Sequence, residues 1–104
     1  MNEILTLITV TQTVDDYGDP VIQEAAREVF AKLGSIGQKE FYQAQAVGLQ
    51  PELKFILADY LDYEGETLVE HDGQRYRVLR TYRSGQELEI VVERAAAEDG
   101  GVNG

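Results

Sequence analysis

The sequence predicts a mainly β domain, a small barrel or sandwich of antiparallel strands with a long loop carrying a short α-helix. Three observations point there. Runs at residues 3–14, 75–82 and 87–93 alternate side chains with the period of two that a half-buried strand needs. Residues 52–60 are apolar on both faces, as in a strand that closes a barrel or lies inside a sandwich. Asp72-Gly73 and Arg83-Ser84-Gly85 punctuate the later runs, and Asp-Gly accepts the positive φ that both central positions of a tight hairpin require. With 104 residues, the chain has room for one domain and one core.

The elements follow in order. Residues 3–14 read as a long strand with Ile4, Ile8, Val10 and Val14 on the apolar face and threonines on the other. Asp15-Asp16-Tyr17-Gly18-Asp19-Pro20 is a turn, because aspartates bond their own backbone, Gly18 tolerates positive φ and Pro20 cannot extend a ladder. Residues 21–33 are ambiguous. Ile22, Ala25, Ala26, Val29, Phe30 and Leu33 recur at helical spacing, whereas Val21, Ala25, Val29, Ala31 and Leu33 share a strand face interrupted at Gln23 and Arg27; local propensity leans to helix. Ser35 and Gln38 have the spacing of a capping box, so a short helix is expected to start there and stop at Gly48, with Pro51 preventing continuation. The next strand spans 52–60. Asp59, Asp62, Glu64, Glu66, Glu70 and Asp72 then form an acidic stretch that reads as a solvated rim. Two hairpins close the domain: residues 68–69 return through Asp72-Gly73, and residues 75–82 return through Ser84-Gly85 into a strand with Leu88, Ile90 and Val92 inward. Tyr76, Val78, Arg80 and Tyr82 share one face of residues 75–82. The domain is expected over residues 1–94, and residues 95–104, with Glu98 and Asp99, read as a flexible tail.

Charge and composition exclude several functions. Nine Lys and Arg against 19 Asp and Glu give a formal net charge of −10, which repels a phosphate backbone. The absence of cysteine excludes disulfides, thiolate nucleophiles and sulfur-bound zinc. The first residues lack a basic n-region and a cleavage-like box, and no run approaches the ~18 apolar residues of a membrane helix, so a soluble, unprocessed protein without membrane partners is expected.

Site-like residues mostly have plain structural readings. Asp15, Asp16, Gly18 and Asp19 fail the spacing of a calcium loop, since the twelfth position falls on Ala26 or Arg27. His71 stands alone and reads as a solvated turn histidine. Asp62 and Glu64 lack the pocket that would separate their pKa values. No phosphate, nucleotide, metal or nucleophile motif is present, so no enzyme, cofactor or metal is expected. Arg75, Arg77, Arg80 and Arg83, interleaved with Tyr76 and Tyr82, resemble a base-stacking strand. Glu87, Glu89 and Glu93 on the next strand favour cross-strand or subunit-interface ion pairs instead.

The order of these features resembles the head-closure proteins, also called stopper or head–tail joining proteins, of long-tailed bacteriophages and prophages. The resemblance is carried by Thr11-Gln12-Thr13-Val14-Asp15-Asp16-Tyr17-Gly18-Asp19, Arg27-Glu28-Val29-Phe30-Ala31, Ser35-Ile36-Gly37, Glu40-Phe41-Tyr42-Gln43-Ala44 and Asp72-Gly73-Gln74-Arg75-Tyr76-Arg77-Val78, and spans residues 5–94. It implies a small β-barrel in which residues 21–33 are a strand and residues 35–51 a long loop with a helical piece. It further implies a structural virion protein of the neck, a ring commonly of twelve copies. Such a ring lies below the portal and adaptor, retains packaged DNA without sequence-specific binding and docks a tail-terminator or tail protein. The location implied is the virion, with assembly in the host cytoplasm. Gly34, Gly37 and Gly48 are hinge points for a gate, with Gln38, Lys39, Glu40, Tyr42, Gln43 and Gln45 facing the channel or a neighbour. The alternative is that the helix caps the barrel, with Phe41 and Leu49 in the core. A tail-completion protein, or a β-barrel binding module for peptide or single-stranded nucleic acid, are competing readings.

Overall fold

The computed structural model describes residues 2–95. Six strands, β1 (Glu3–Val14), β2 (Pro20–Gly34), β3 (Leu53–Leu57), β4 (Leu68–His71), β5 (Gln74–Ser84) and β6 (Glu87–Arg94), form one antiparallel sheet. It closes on itself in the order β1-β2-β3-β6-β5-β4, the expected barrel. Closure removes the unpaired edges that an open sheet would present. The single α-helix among the described residues, α1 (Gln38–Ala46), lies in the β2–β3 connection; β3 ends at Leu57, short of the expected Tyr60, where a 3₁₀ turn (Tyr60–Asp62) begins.

Inward-facing Leu5, Leu7, Ala31, Phe55, Leu57, Val69, Tyr76, Leu88, Ile90 and Val92 build the core, with Leu88, Ile90 and Val92 as expected. The inward face of β1 is the opposite of the one its branched residues suggested. Leu5 and Leu7 are fully buried, whereas Ile4, Val10 and Val14 are exposed; only Ile8 of that face is covered, beside Leu68 on β4. Period two defines two faces but does not say which the barrel encloses.

Residues 21–33 are strand, against the local lean to helix and in line with the resemblance. Twelve consecutive residue pairs, Glu3↔Ala31 to Val14↔Pro20, tie β2 to β1, and this long ladder outweighs helix propensity. The capping box at Ser35 does not form. Gly37 is the N-cap, without a side-chain cap, and the helix ends at Ala46 before Gly48, whose φ is +84°. No residue of α1 is buried, and Phe41 and Leu49 are only half-buried and lie outside the core, so the helix does not plug the barrel. The Asp72-Gly73 turn has the expected geometry, with φ of 51° and 78°.

A bulge between Val78 and Arg80 interrupts β5. Val78 pairs with core residue Val92, but beyond the bulge Thr81 pairs with Ile90 and Arg80 with Val91. The extra residue, Leu79, therefore turns Arg80 and Tyr82 away from the face of Tyr76 and Val78, correcting the uninterrupted alternation. The acidic stretch is not wholly a solvated rim either. Glu66 is 5% exposed, and His71, read as solvated, is 8% exposed. Its ring Nε2 is 3.0 Å from Glu3 Oε1, and its edge meets Phe55 at 5.2 Å between centroids. Of the expected tail, Ala95 is buried and donates its amide to the Arg75 carbonyl. The remaining tail residues lie outside those described.

Candidate functional site

Three surfaces bear on function: the β1–β2 arm, the helix-bearing insertion and the arginines of β5. β1 pairs with β4 only at Thr6, Leu7 and Ile8, and β2 with β3 only from Ala31 to Gly34. Beyond those residues the two strands continue together as a ribbon, from Thr9↔Ala25 to Val14↔Pro20. At ~3.4 Å per residue this arm extends nearly 20 Å past the barrel, and residues 9–26 are exposed apart from half-buried Val21. Cross-strand partners share a face. The threonines continue the inward face of Leu5 and Leu7, so Val10, Val14 and Ile22 point outward in continuity with Ile4 and Phe30, which is 66% exposed.

The arm ends in a hydrogen-bonded tip. Asp15 Oδ1 accepts from the amides of Tyr17 and Asp19, both at 2.9 Å, the Asp15 amide donates to the Asp19 carbonyl, and Gly18 at φ +84° donates to the Asp15 carbonyl. This is the turn the aspartates and glycine suggested, and Tyr17 stands 90% exposed on it. At the root, Arg75 on β5 donates to both oxygens of Glu24 on β2, at 2.9 and 2.7 Å. β4 and β1 lie between those strands, so the bridge passes over the outside of both.

The arginines serve intramolecular pairs. Arg75 also approaches Glu70 at 3.7 Å, Arg77 pairs with Glu93, and Arg80 holds Glu40 of α1 through two bonds of 2.5 and 2.7 Å while lying 3.7 Å from Glu89. Lys54 adds a contact of 3.4 Å to Glu89. Arg83 lies over the Tyr60 ring, 3.5 Å from its centroid, and donates to the Gly85 carbonyl. Glu87 meets no arginine among the described residues. The two main carboxylate partners, Glu24 and Glu40, come from outside the β5–β6 hairpin, which cross-strand spacing had no means of indicating. Hydrogen bonds from Arg75 and Arg80 respectively hold these carboxyls below the ordinary carboxylate range.

In the insertion, Gln38, Lys39, Tyr42, Gln43 and Gln45 are exposed and Glu40 is the half-buried anchor. Between α1 and the outer face of β5–β6 lies a groove of about 260 Å³, lined by Ala44, Leu49, Pro51, Leu79 and Val91 and edged by Glu40, Gln43 and Arg80. Among the described residues no three acidic or histidine side chains converge as a metal site would require. The sequence reading missed both the arm's outer apolar face and the groove. For the arm, a signal was available: the strand expected over residues 3–14, 12 residues long, is about twice the usual five to six or so. No family model matches the chain, and no curated protein matches it.

Proposed function

We propose that this chain is a structural subunit of a bacteriophage neck, a head-closure protein. Its copies form a ring below the portal and adaptor, retain packaged DNA and present a surface to a tail-terminator or tail protein. The observation that carries the reading is the strand at residues 21–33. Local spacing leaned to helix there, the resemblance required strand, and β2 completes a closed barrel.

The charge distribution supports the same role. A conduit for DNA works best without phosphate-gripping cations, because neutralising phosphates releases counterions and holds the duplex. Arg75, Arg77 and Arg80 are engaged by the chain's own carboxylates, on a molecule of net charge −10. These pairs equally disfavour single-stranded nucleic-acid binding on this strand, since a phosphate would have to displace a carboxylate already in place. The α1 insertion, hinged by Gly37 and Gly48, is the proposed gate.

The test is imaging of tailed particles that carry a tagged copy of the chain. A ring of label at the neck, with DNA lost from heads lacking the chain, is expected. Label at the distal tail, or full DNA retention without the chain, overturns the reading. Deleting residues 38–50 separates the gate from the ring: rings that assemble but leak DNA support gating, and rings that retain it exclude gating.

A further inference from the structure

We infer that the arm tip of one copy, led by Tyr17, docks in the groove between α1 and the β5–β6 hairpin of a second copy. This deepens the ring reading and rests on it for its biological setting, but it stands on its own geometry. The tip is built to present an aromatic. Four hydrogen bonds among Asp15, Tyr17, Gly18 and Asp19 fix the backbone, so burying the Tyr17 ring costs little further ordering. The ribbon behind it exposes Val10, Val14 and Ile22 on one face and has unpaired outer edges. A long, apolar ribbon with free edges is a liability in an isolated subunit and is normally covered in the working state.

The receiving surface fits in size, lining and charge. A cavity of about 150 Å³ admits benzene, and the groove is about 260 Å³, with apolar walls and with Glu40 and Arg80 at its rim to meet a phenol hydroxyl. Beside it, Lys54 and Arg80 balance Glu40 and Glu89, so this wall is neutral on a molecule of net charge −10. It repels the acidic tip, with Asp16 and Asp19, less than the acidic surface around residues 59–72 does. The occupant is a second copy rather than the same chain, because the arm extends beyond the barrel and its root is fastened by the Glu24–Arg75 bridge. Tip and groove are different surfaces, so the contact is heterologous and propagates from copy to copy, as a ring requires.

The cysteine-free chain suits disulfide trapping. The full-length double variant Asp16→Cys with Gln43→Cys, which keeps Tyr17 and places one thiol beside it on the exposed tip, is expected to give a ladder of covalent dimers, trimers and larger species when oxidised at high concentration. Each single variant should give no ladder. Three outcomes overturn the proposal: no species above monomer, dimers from Asp16→Cys alone as abundant as those from the double variant, or an internal disulfide within one copy. Sedimentation gives a second measure in the unmodified fold. Self-association should weaken at least about tenfold in Tyr17→Ala and survive in Tyr17→Phe, as for an aromatic anchor; equal behaviour of all three proteins overturns it. A ladder without label at a virion neck leaves the docking intact and removes the neck reading, whereas neck rings without a ladder do the reverse.

Discussion

Glu66 shows how one side chain organises the connection between β3 and β4. Its carboxylate accepts from Arg27 at 2.6 Å and from the Glu64 amide at 2.8 Å, while its carbonyl accepts from the Tyr63 hydroxyl. Arg27 also donates to the Asp62 carbonyl at 2.8 Å, so a guanidinium on β2 fastens the segment between β3 and β4. Burial pushes the Glu66 carboxyl up, and the amides of Glu64 and Glu66 together with Arg27 outweigh it, leaving the pKa below the ordinary value. Removing Arg27 leaves a buried carboxylate short of a partner. Arg27 is itself partly exposed, which lets water replace some of its contribution, so Arg27→Ala should cost on the order of 1–2 kcal/mol. Denaturant titration measures this, and Glu66→Gln should recover part of the loss in the double variant. An Arg27→Ala protein as stable as the parent would mean that the pair contributes nothing. The face of Arg27 follows from pairing with inward Leu7, but nothing in the acidic run from Asp59 to Asp72 singles out Glu66 as its partner.

Among the elements, α1 depends most on a single contact. Nine residues are too few for a stable isolated helix, and none of these is buried, so the Glu40–Arg80 bridge is its main tether. Glu40→Gln should raise amide exchange across residues 38–46 while leaving β3 and β6 protected; unchanged exchange in the helix would assign its order to backbone and apolar contacts instead. Elements were legible wherever chemistry near in sequence decides conformation. The Asp72-Gly73 hairpin, β6 and the end of α1 near Gly48 follow from turn residues and short periods. β2 was not, because its spacing fits two periods and only the partner strand selects between them. The arginine site was half legible: the engagement of β5 by carboxylates follows from charge, but the bulge at Leu79 re-aims Arg80, and Glu24 and Glu40 arrive from distant parts of the chain.

For the molecule as a whole, the carboxylates held by arginines set its response to acid. The carboxyls of Glu24, Glu40, Glu66 and Glu93 all lie below their ordinary value of 4.5 in the fold, that of Glu93 through the Gln50 amide and Arg77. Groups depressed on folding stabilise the native state fully above their unfolded value, and that stabilisation disappears as pH falls through the folded one. The melting temperature should therefore hold between about pH 7 and 5 and fall between about pH 4.5 and 3, with Glu66→Gln falling less steeply than the parent in calorimetry; a flat profile to pH 3 would refute the linkage. Barrel closure carries a further, mechanical consequence. The sheet is sealed by the β1–β4 ladder, which has three residue pairs where β1–β2 has twelve. The arm is a continuation of β1, so a pull on its tip is delivered along that strand into the barrel's shortest ladder. Over that seam, from strand to strand, lies the Glu24–Arg75 bridge, a clasp that shares the load before Leu7 and Val69 are parted.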